Sequence, residues 1–154
     1  MSASIVCGVD GSRDSQAALE VAARLSVRLG LRLVIAHVAE PAYIPYPAAA
    51  RFGGMVGRHA VMEEAKSEEK AAERLLEHIV VAAAFTDAER RAVVGVPAER
   101  LADLADEEDA ELIVVGSRGR GAFKSAFLGS VSNSLVGVAR CPVLIVPPGA
   151  TEAS

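Results

Sequence analysis

Glycines and basic side chains are concentrated in residues 116–130, where their spacing suits the binding of an anion. The stretch GSRGRGAFKSAFLGS contains Gly116, Gly119, Gly121, Gly129, Arg118, Arg120 and Lys124. Glycine leaves main-chain amides accessible, and the first amides of a helix lack intrahelical partners. Such amides bind phosphate groups in many proteins. The stretch therefore predicts a phosphate site or, as the alternative, a flexible turn in which Ser130 only caps the following helix.

Two common phosphate motifs do not match this stretch. Gly116 and Gly121 have the spacing of a P-loop, but the pair Lys124 and Ser125 comes two residues late. A dinucleotide fingerprint beginning at Gly119 would need a further glycine at position 124. Neither motif explains the glycines, so a different pattern must be considered.

The sequence contains no recognisable catalytic motif. There is no Gly-x-Ser-x-Gly and no His-Glu-x-x-His, and the spacing of His37, His59 and His78 does not suit a metal ion. Cys7 and Cys141 form no Cys-x-x-Cys pair, and we expect both to be small buried residues. The sequence predicts structural histidines and no catalytic residue.

Composition favours a globular protein over the other classes. The chain has 154 residues, of which 51% are hydrophobic and 23% charged, and its net charge is −4. These values predict one domain spanning residues 1–154 and argue against a nucleic-acid-binding surface. Apolar runs are too short to span a membrane, and no basic leader precedes the first predicted strand. We expect a soluble, cytoplasmic protein.

Hydrophobic periodicity predicts alternating strands and helices around these residues. Strands are predicted at 5–9, 31–38, 89–94, 112–115 and 143–146, and helices at 14–29, 58–84, from 97 onward and at 130–139. Gly30 is predicted to cap the first helix, and residues 39–57, with three prolines and three glycines, are predicted to form a long loop. The alternation predicts an α/β fold: an open five-stranded parallel sheet with helices on both faces, in which 89–94 is an edge strand. Ligands of such sheets bind beyond the carboxyl ends of the strands.

The spacing Gly116-x2-Gly119-x9-Gly129-Ser130 resembles the glycine signature of the nucleotide-binding branch of the universal stress protein family. Further segments resemble that family in the same order: Val9-Asp10-Gly11-Ser12, Gly95-x-Pro97-Ala98, residues 110–121 and Cys141-Pro142-Val143-Leu144-Ile145-Val146. The resemblance covers nearly the whole chain. It implies an adenine nucleotide α-hydrolase-like fold with strand order 3-2-1-4-5.

The same resemblance implies an ATP site at the carboxyl ends of the strands. The implied ligand-binding residues are Val9, Asp10, Ser12, Val38, Gly116, Arg118, Gly119, Gly129, Ser130, Val131 and Ser132. Asp10 is expected near the ribose or a nucleotide-bound Mg²⁺, although an aspartate here could also simply cap its turn. Val38 marks the place where family members hold adenine through backbone groups. AMP and cyclic AMP are the alternative ligands.

The last predicted strand suggests a partner. An apolar strand at the edge of a sheet exposes unpaired amides, which proteins normally cover. Together with the resemblance, this predicts a homodimer through Val143, Leu144, Ile145 and Val146, the alternative being cover by the chain's own C-terminal tail. The expected function is a non-catalytic, ATP-binding regulator in the stress response. A nucleotide-independent dimeric scaffold and a weak ATPase are the other possibilities.

Overall fold

Strands and helices alternate along the part of the chain that the computed structural model describes, which is residues 3–41, 55–84, 87–119 and 128–150, with the backbone alone for 55–61. In chain order the elements are β1 Ser4–Gly8, α1 Arg13–Leu29, β2 Arg32–Ala39, α2 Met55–Ala82, β3 Glu89–Val94, α3 Pro97–Glu107, β4 Ala110–Gly116, α4 Ser130–Val138 and β5 Val143–Val146. Every predicted strand and helix is present.

The strands form one parallel sheet in the order β3-β2-β1-β4-β5. This confirms the implied order and places both β3 and β5 at the edges. β2 and β3 lie on one side of β1, and β4 and β5 lie on its other side, so the order of the strands reverses at β1. The crevice that results from this reversal opens at the carboxyl ends of β1 and β4, where ligands of such sheets bind.

Helices cover both faces of the sheet because successive strand residues point to opposite sides. Ile5 and Cys7 of β1 are buried against α1 and α2, whereas Val6 between them is buried against α3 and α4. Burial raises the pKa of Cys7 to about 12. Cys141 is only half-buried, so the expectation of two buried cysteines holds for Cys7 alone. No helix of the described segments is long and apolar enough to cross a membrane.

Local signals explain where α1 begins and ends. The Ser12 hydroxyl accepts a hydrogen bond from the Ser15 amide at 3.2 Å, which satisfies one of the free amides of the first turn. Gly30 ends the helix with a φ of +67°, which confirms the predicted left-handed cap.

The boundaries predicted for the loop at 39–57 are wrong at both ends. Ala39 belongs to β2, and α2 begins at Met55 rather than near residue 58. Gly57 lies inside α2 and not in the loop, because a single glycine costs a helix only about 1 kcal/mol and does not end it. Residues 42–54 of the predicted loop lie outside the described part of the chain.

Candidate functional site

A cavity of about 590 Å³ lies at the carboxyl edge of the sheet. It is bounded by the ends of β1, β2 and β4 and by the beginnings of α3 and α4. All the predicted ligand-binding residues except Ser12 line it: Val9, Asp10, Val38, Gly116, Arg118, Gly119, Gly129, Ser130, Val131 and Ser132. Its volume is typical of a small-molecule site.

Ser12 has a structural role in the turn between β1 and α1. Its hydroxyl caps α1, and its amide donates a hydrogen bond to Oδ1 of Asp10 at 2.9 Å. Ser12 therefore shapes the turn that carries Asp10, but it does not line the cavity.

Asp10 serves its own turn and also borders the cavity. Oδ1 closes the turn across Gly11, which has a φ of +80°. Its other oxygen, Oδ2, lies 2.8 Å from the position that a Cβ atom on Gly119 would occupy. The sequence left two roles open for Asp10, a cap of its own turn and a contact to the ligand. The two oxygens of its carboxylate allow it to fill both roles.

The glycines of the signature make room for protein atoms. A Cβ on Gly116 would lie 2.6 Å from the carbonyl carbon of Asp14, and one on Gly129 would lie 3.2 Å from Cα of Arg118. None of Gly116, Gly119 and Gly129 has a positive φ. Their missing side chains allow α1, the turn after β4 and the start of α4 to pack together. The role expected for these glycines at an anion stays a prediction.

The start of α4 supplies main-chain donors to the cavity. Asn133 makes the first helical bond, from its amide to the carbonyl of Gly129 at 3.0 Å. The amides of Ser130, Val131 and Ser132 precede that bond and have no intrahelical acceptor. The Gly129 amide is already used, since it donates to the Ser117 carbonyl at 2.7 Å. The Ser132 hydroxyl donates to the same carbonyl at 3.0 Å.

The end of β2 supplies main-chain groups at another part of the cavity. The carbonyl of Ala36 accepts from the Val9 amide at 2.8 Å, which is the last rung of the β1–β2 ladder. Main-chain groups alternate in direction along a strand, so those of Val38 point to the same side as those of Ala36, beyond the end of β1. The amide and carbonyl of Val38 therefore have no strand partner and border the cavity.

His37 lines the cavity, although its sequence context predicts only a structural role. Its Nδ1 lies 2.7 Å from the carbonyl oxygen of Val9, which can only accept, so Nδ1 carries a proton. This hydrogen bond occupies the Val9 carbonyl and fixes the ring beside the cavity. His78 is exposed on α2, and the side chain of His59 lies outside the described residues.

Other lining residues were missed because no local motif marks them. Pro97 and Leu101 come from α3 and Glu40 follows β2, and all three meet at the cavity because parallel strands end at one edge. The charged residues of the described lining are Asp10, Glu40 and Arg118. Arg120, Gly121 and Lys124 lie outside the described residues. In the ranges that the structure describes, no three His, Cys, Asp or Glu side chains cluster as metal ligands.

The fold defines a doubly wound α/β protein with a cavity at its strand-order reversal. Residues 1–147 match the model of the universal stress protein family. The chain belongs to that family.

Comparison with individual proteins agrees with this assignment. A universal stress protein of Thermus aquaticus is 34% identical over 142 residues, which cover 92% of this chain and 96% of that protein. A crystal structure of a universal stress protein in complex with cAMP is 31% identical, with 96% of this chain and 98% of that chain covered and a TM-score of 0.60. The Archaeoglobus fulgidus universal stress protein in complex with dAMP is 25% identical, with 94% and 97% covered and a TM-score of 0.55.

Proposed function

We propose that this chain is a non-catalytic regulator of the stress response that binds an adenine nucleotide in the carboxyl-edge cavity. One observation carries the proposal: main-chain groups without a strand or helix partner among the described residues border this cavity both at the start of α4 and at the end of β2. A nucleotide needs donors for its phosphate and a matching pair of groups for the edge of its base.

The start of α4 is suited to the phosphate. The amides of Ser130, Val131 and Ser132 are at the positive end of the helix dipole, which stabilises an anion by roughly 0.3 to 2 kcal/mol. Arg118 adds a positive charge at the same turn, with 32% of its side chain exposed. These groups support the phosphate site that the glycine spacing predicted.

The end of β2 is suited to adenine. The base presents a donor and an adjacent acceptor along one edge, and the amide and carbonyl of Val38 offer the complementary pair. Backbone recognition of this kind needs no particular side chain at position 38. Leu101 and Pro97, which also line the cavity, supply apolar surface for the ring.

ATP with Mg²⁺ is the ligand that we propose first. The described lining carries two acidic side chains, Asp10 and Glu40, against the single cation of Arg118. A triphosphate would therefore need a divalent cation to accompany it, and Asp10 is the side chain that would face it. Because the two related structures hold cAMP and dAMP, AMP and cyclic AMP are the competing ligands.

We also propose a homodimer through β5. β5 is an edge strand of the described sheet and is paired on one side only, with β4. On the neighbouring α4, Val136 and Val138 expose 65% and 45% of their surface. A second copy would cover this apolar surface and the free strand edge. Sedimentation equilibrium should give twice the chain mass, and a monomer at the highest soluble concentration would refute the dimer.

Calorimetric titration of nucleotide-stripped protein tests the ligand. We expect saturable binding of ATP that strengthens with Mg²⁺, weaker binding of AMP, cyclic AMP and adenosine, and no binding of GTP. Absence of binding for every adenine nucleotide would leave the nucleotide-independent scaffold as the function. Tighter binding of cyclic AMP than of ATP would replace the proposed ligand while keeping the site. Steady release of phosphate from bound ATP would replace the non-catalytic role by that of a weak ATPase.

A further inference from the structure

Asp14 is a buried carboxylate that does not line the cavity and yet is bonded to the turn beneath it. It lies in the first turn of α1, and 7% of its surface is exposed. Its Oδ2 accepts from the Ser117 hydroxyl at 2.8 Å and from the Arg118 amide at 3.1 Å. The Nε atom of Arg118 lies 3.5 Å from the same oxygen. More than a hundred residues separate Asp14 from these partners along the chain.

These bonds complete the fixation of the turn after β4. The Ser117 amide donates to the Val146 carbonyl at 2.8 Å, and its carbonyl accepts from Gly129 and Ser132. The hydroxyl of Ser117 is its one remaining polar group, and it donates to Asp14. Gly116 lies close to the backbone of Asp14, so α1 packs tightly against the same turn. Asp14 therefore ties the turn after β4 to the first turn of α1 through two hydrogen bonds and one ion pair.

We propose that Asp14 is a positioning residue for phosphate binding, acting through Ser117 and Arg118. Its two hydrogen bonds keep the turn in the shape that places Arg118 and the start of α4 around one phosphate. Its charge orients the guanidinium of Arg118 toward the turn. This inference rests on the proposed nucleotide site. The opposite role, in which the carboxylate merely repels the phosphate, predicts tighter binding when the charge is removed.

Two substitutions at this position separate these roles. Asp14→Ala removes both hydrogen bonds, and we expect nucleotide affinity to fall roughly tenfold to a hundredfold while adenosine affinity stays within about twofold. Asp14→Asn keeps an oxygen that can accept both bonds, so its nucleotide affinity should stay within roughly threefold of wild type. Asp106→Asn is the matched control, because Asp106 pairs with Arg140 at 3.0 Å on the exposed surface and away from the cavity.

The outcomes distinguish failure of this inference from failure of the proposed site. If the wild-type protein binds no nucleotide, the proposed site fails. If it does bind, then unchanged affinity in Asp14→Ala, tighter binding in both Asp14 variants, or an equal loss for adenosine would each overturn the positioning role.

Hydrogen exchange gives a reading that requires no ligand. The Arg118 amide should exchange faster in Asp14→Ala than in wild type, and Asp14→Asn should restore its protection. If Asp14→Ala does not fold, Ser117→Ala tests the same contact, since it removes only the hydroxyl bond. It should weaken nucleotide binding roughly threefold and leave adenosine binding unchanged. Unchanged protection in Asp14→Ala, or in its absence unchanged nucleotide affinity in Ser117→Ala, would overturn the inference.

Discussion

The two edges of the sheet carry cavities that differ more in chemistry than in size. The groove at the amino edge has a volume of about 870 Å³ and is the larger one. Arg32 and Glu89, which line this groove, belong to a cluster of ion pairs: Arg32 contacts Glu89 at 2.6 Å and Glu108 at 3.3 Å, and Arg91 contacts both carboxylates at 2.6 Å. The partial burial of Arg91 acts to lower its pKa, but hydrogen bonds and charge from both glutamates outweigh it and raise that pKa.

At the carboxyl edge, several main-chain groups have no hydrogen-bond partner in the part of the chain that the structure describes. The amides at the start of α4 and the main-chain groups of Val38 have no strand or helix partner. An unpaired main-chain group favours a ligand that satisfies it, whereas a paired charge has little further to gain. The proposed nucleotide site therefore lies at the edge with unsatisfied main-chain groups and not at the edge with the larger cavity.

The largest effect should come from placing a carboxylate in each cavity in turn. Gly129→Glu brings a negative charge to the proposed phosphate position and should weaken nucleotide binding roughly a hundredfold, or about 2.7 kcal/mol. Arg28→Glu places the same group in the amino-edge groove and should leave nucleotide affinity unchanged. Calorimetry on both folded variants checks this. Equal losses would show that the two edges are not functionally distinct.

Removing the shared carboxylate of the amino edge should affect stability alone. Glu108 has 11% of its side chain exposed and is paired with two arginines, so Glu108→Ala should lower the free energy of unfolding by about 2 kcal/mol. Asp103→Ala, which breaks an exposed pair with Arg100, should cost at most about 1 kcal/mol. Urea unfolding measures both. A loss of nucleotide affinity in Glu108→Ala would contradict the division between the edges.

A methyl group on Gly116 should disturb stability and binding together. The new Cβ would collide with the backbone of Asp14, and separating α1 from the turn should cost about 1 to 3 kcal/mol. Nucleotide affinity should fall as well, because the turn moves. Gly137→Ala is the matched control, since no atom lies within 4 Å of its Cβ position, and it should stabilise α4 by about 0.5 to 1 kcal/mol. A Gly116→Ala protein with wild-type stability would refute the packing role of this glycine.

The smallest effect should come from the cap of α1. Gly30 has open space around it but a φ of +67°, so Gly30→Ala should cost about 1 kcal/mol from backbone strain alone. Gly30 does not line the carboxyl-edge cavity, and nucleotide affinity should not change. Thermal unfolding followed by titration measures the two quantities. A shift in affinity would mean that general loss of stability weakens the site.

Much of the fold could be predicted because its signals are local. Helical spacing, the cap at Gly30 and the apolar run of β4 are each contained within a short segment. The strand order and the edge position of β5 were implied by the family resemblance and are confirmed.

The contacts that hold the site together could not be predicted, because they join residues that are far apart in the sequence. No pattern within the sequence pairs Asp14 with Ser117 or Arg32 with Glu108. The glycine spacing pointed to two turns that line the cavity, but it did not reveal that a side chain on Gly116 would collide with the backbone of Asp14. His37 lines the cavity because β1 ends at Gly8, short of the end of β2. Sequence periodicity predicted the end of β1 one residue too late.

The hydrogen bond from the Ser117 amide to the Val146 carbonyl joins the turn under the cavity to the outermost strand. If that strand pairs two copies, occupancy and assembly become thermodynamically linked: a nucleotide that rigidifies the turn would tighten the dimer, and dimerisation would raise nucleotide affinity by the same factor. The protein would then report adenine nucleotide levels through its own association, without any moving lid. Affinity that stays constant over a dilution series spanning the monomer–dimer transition would exclude such allosteric communication.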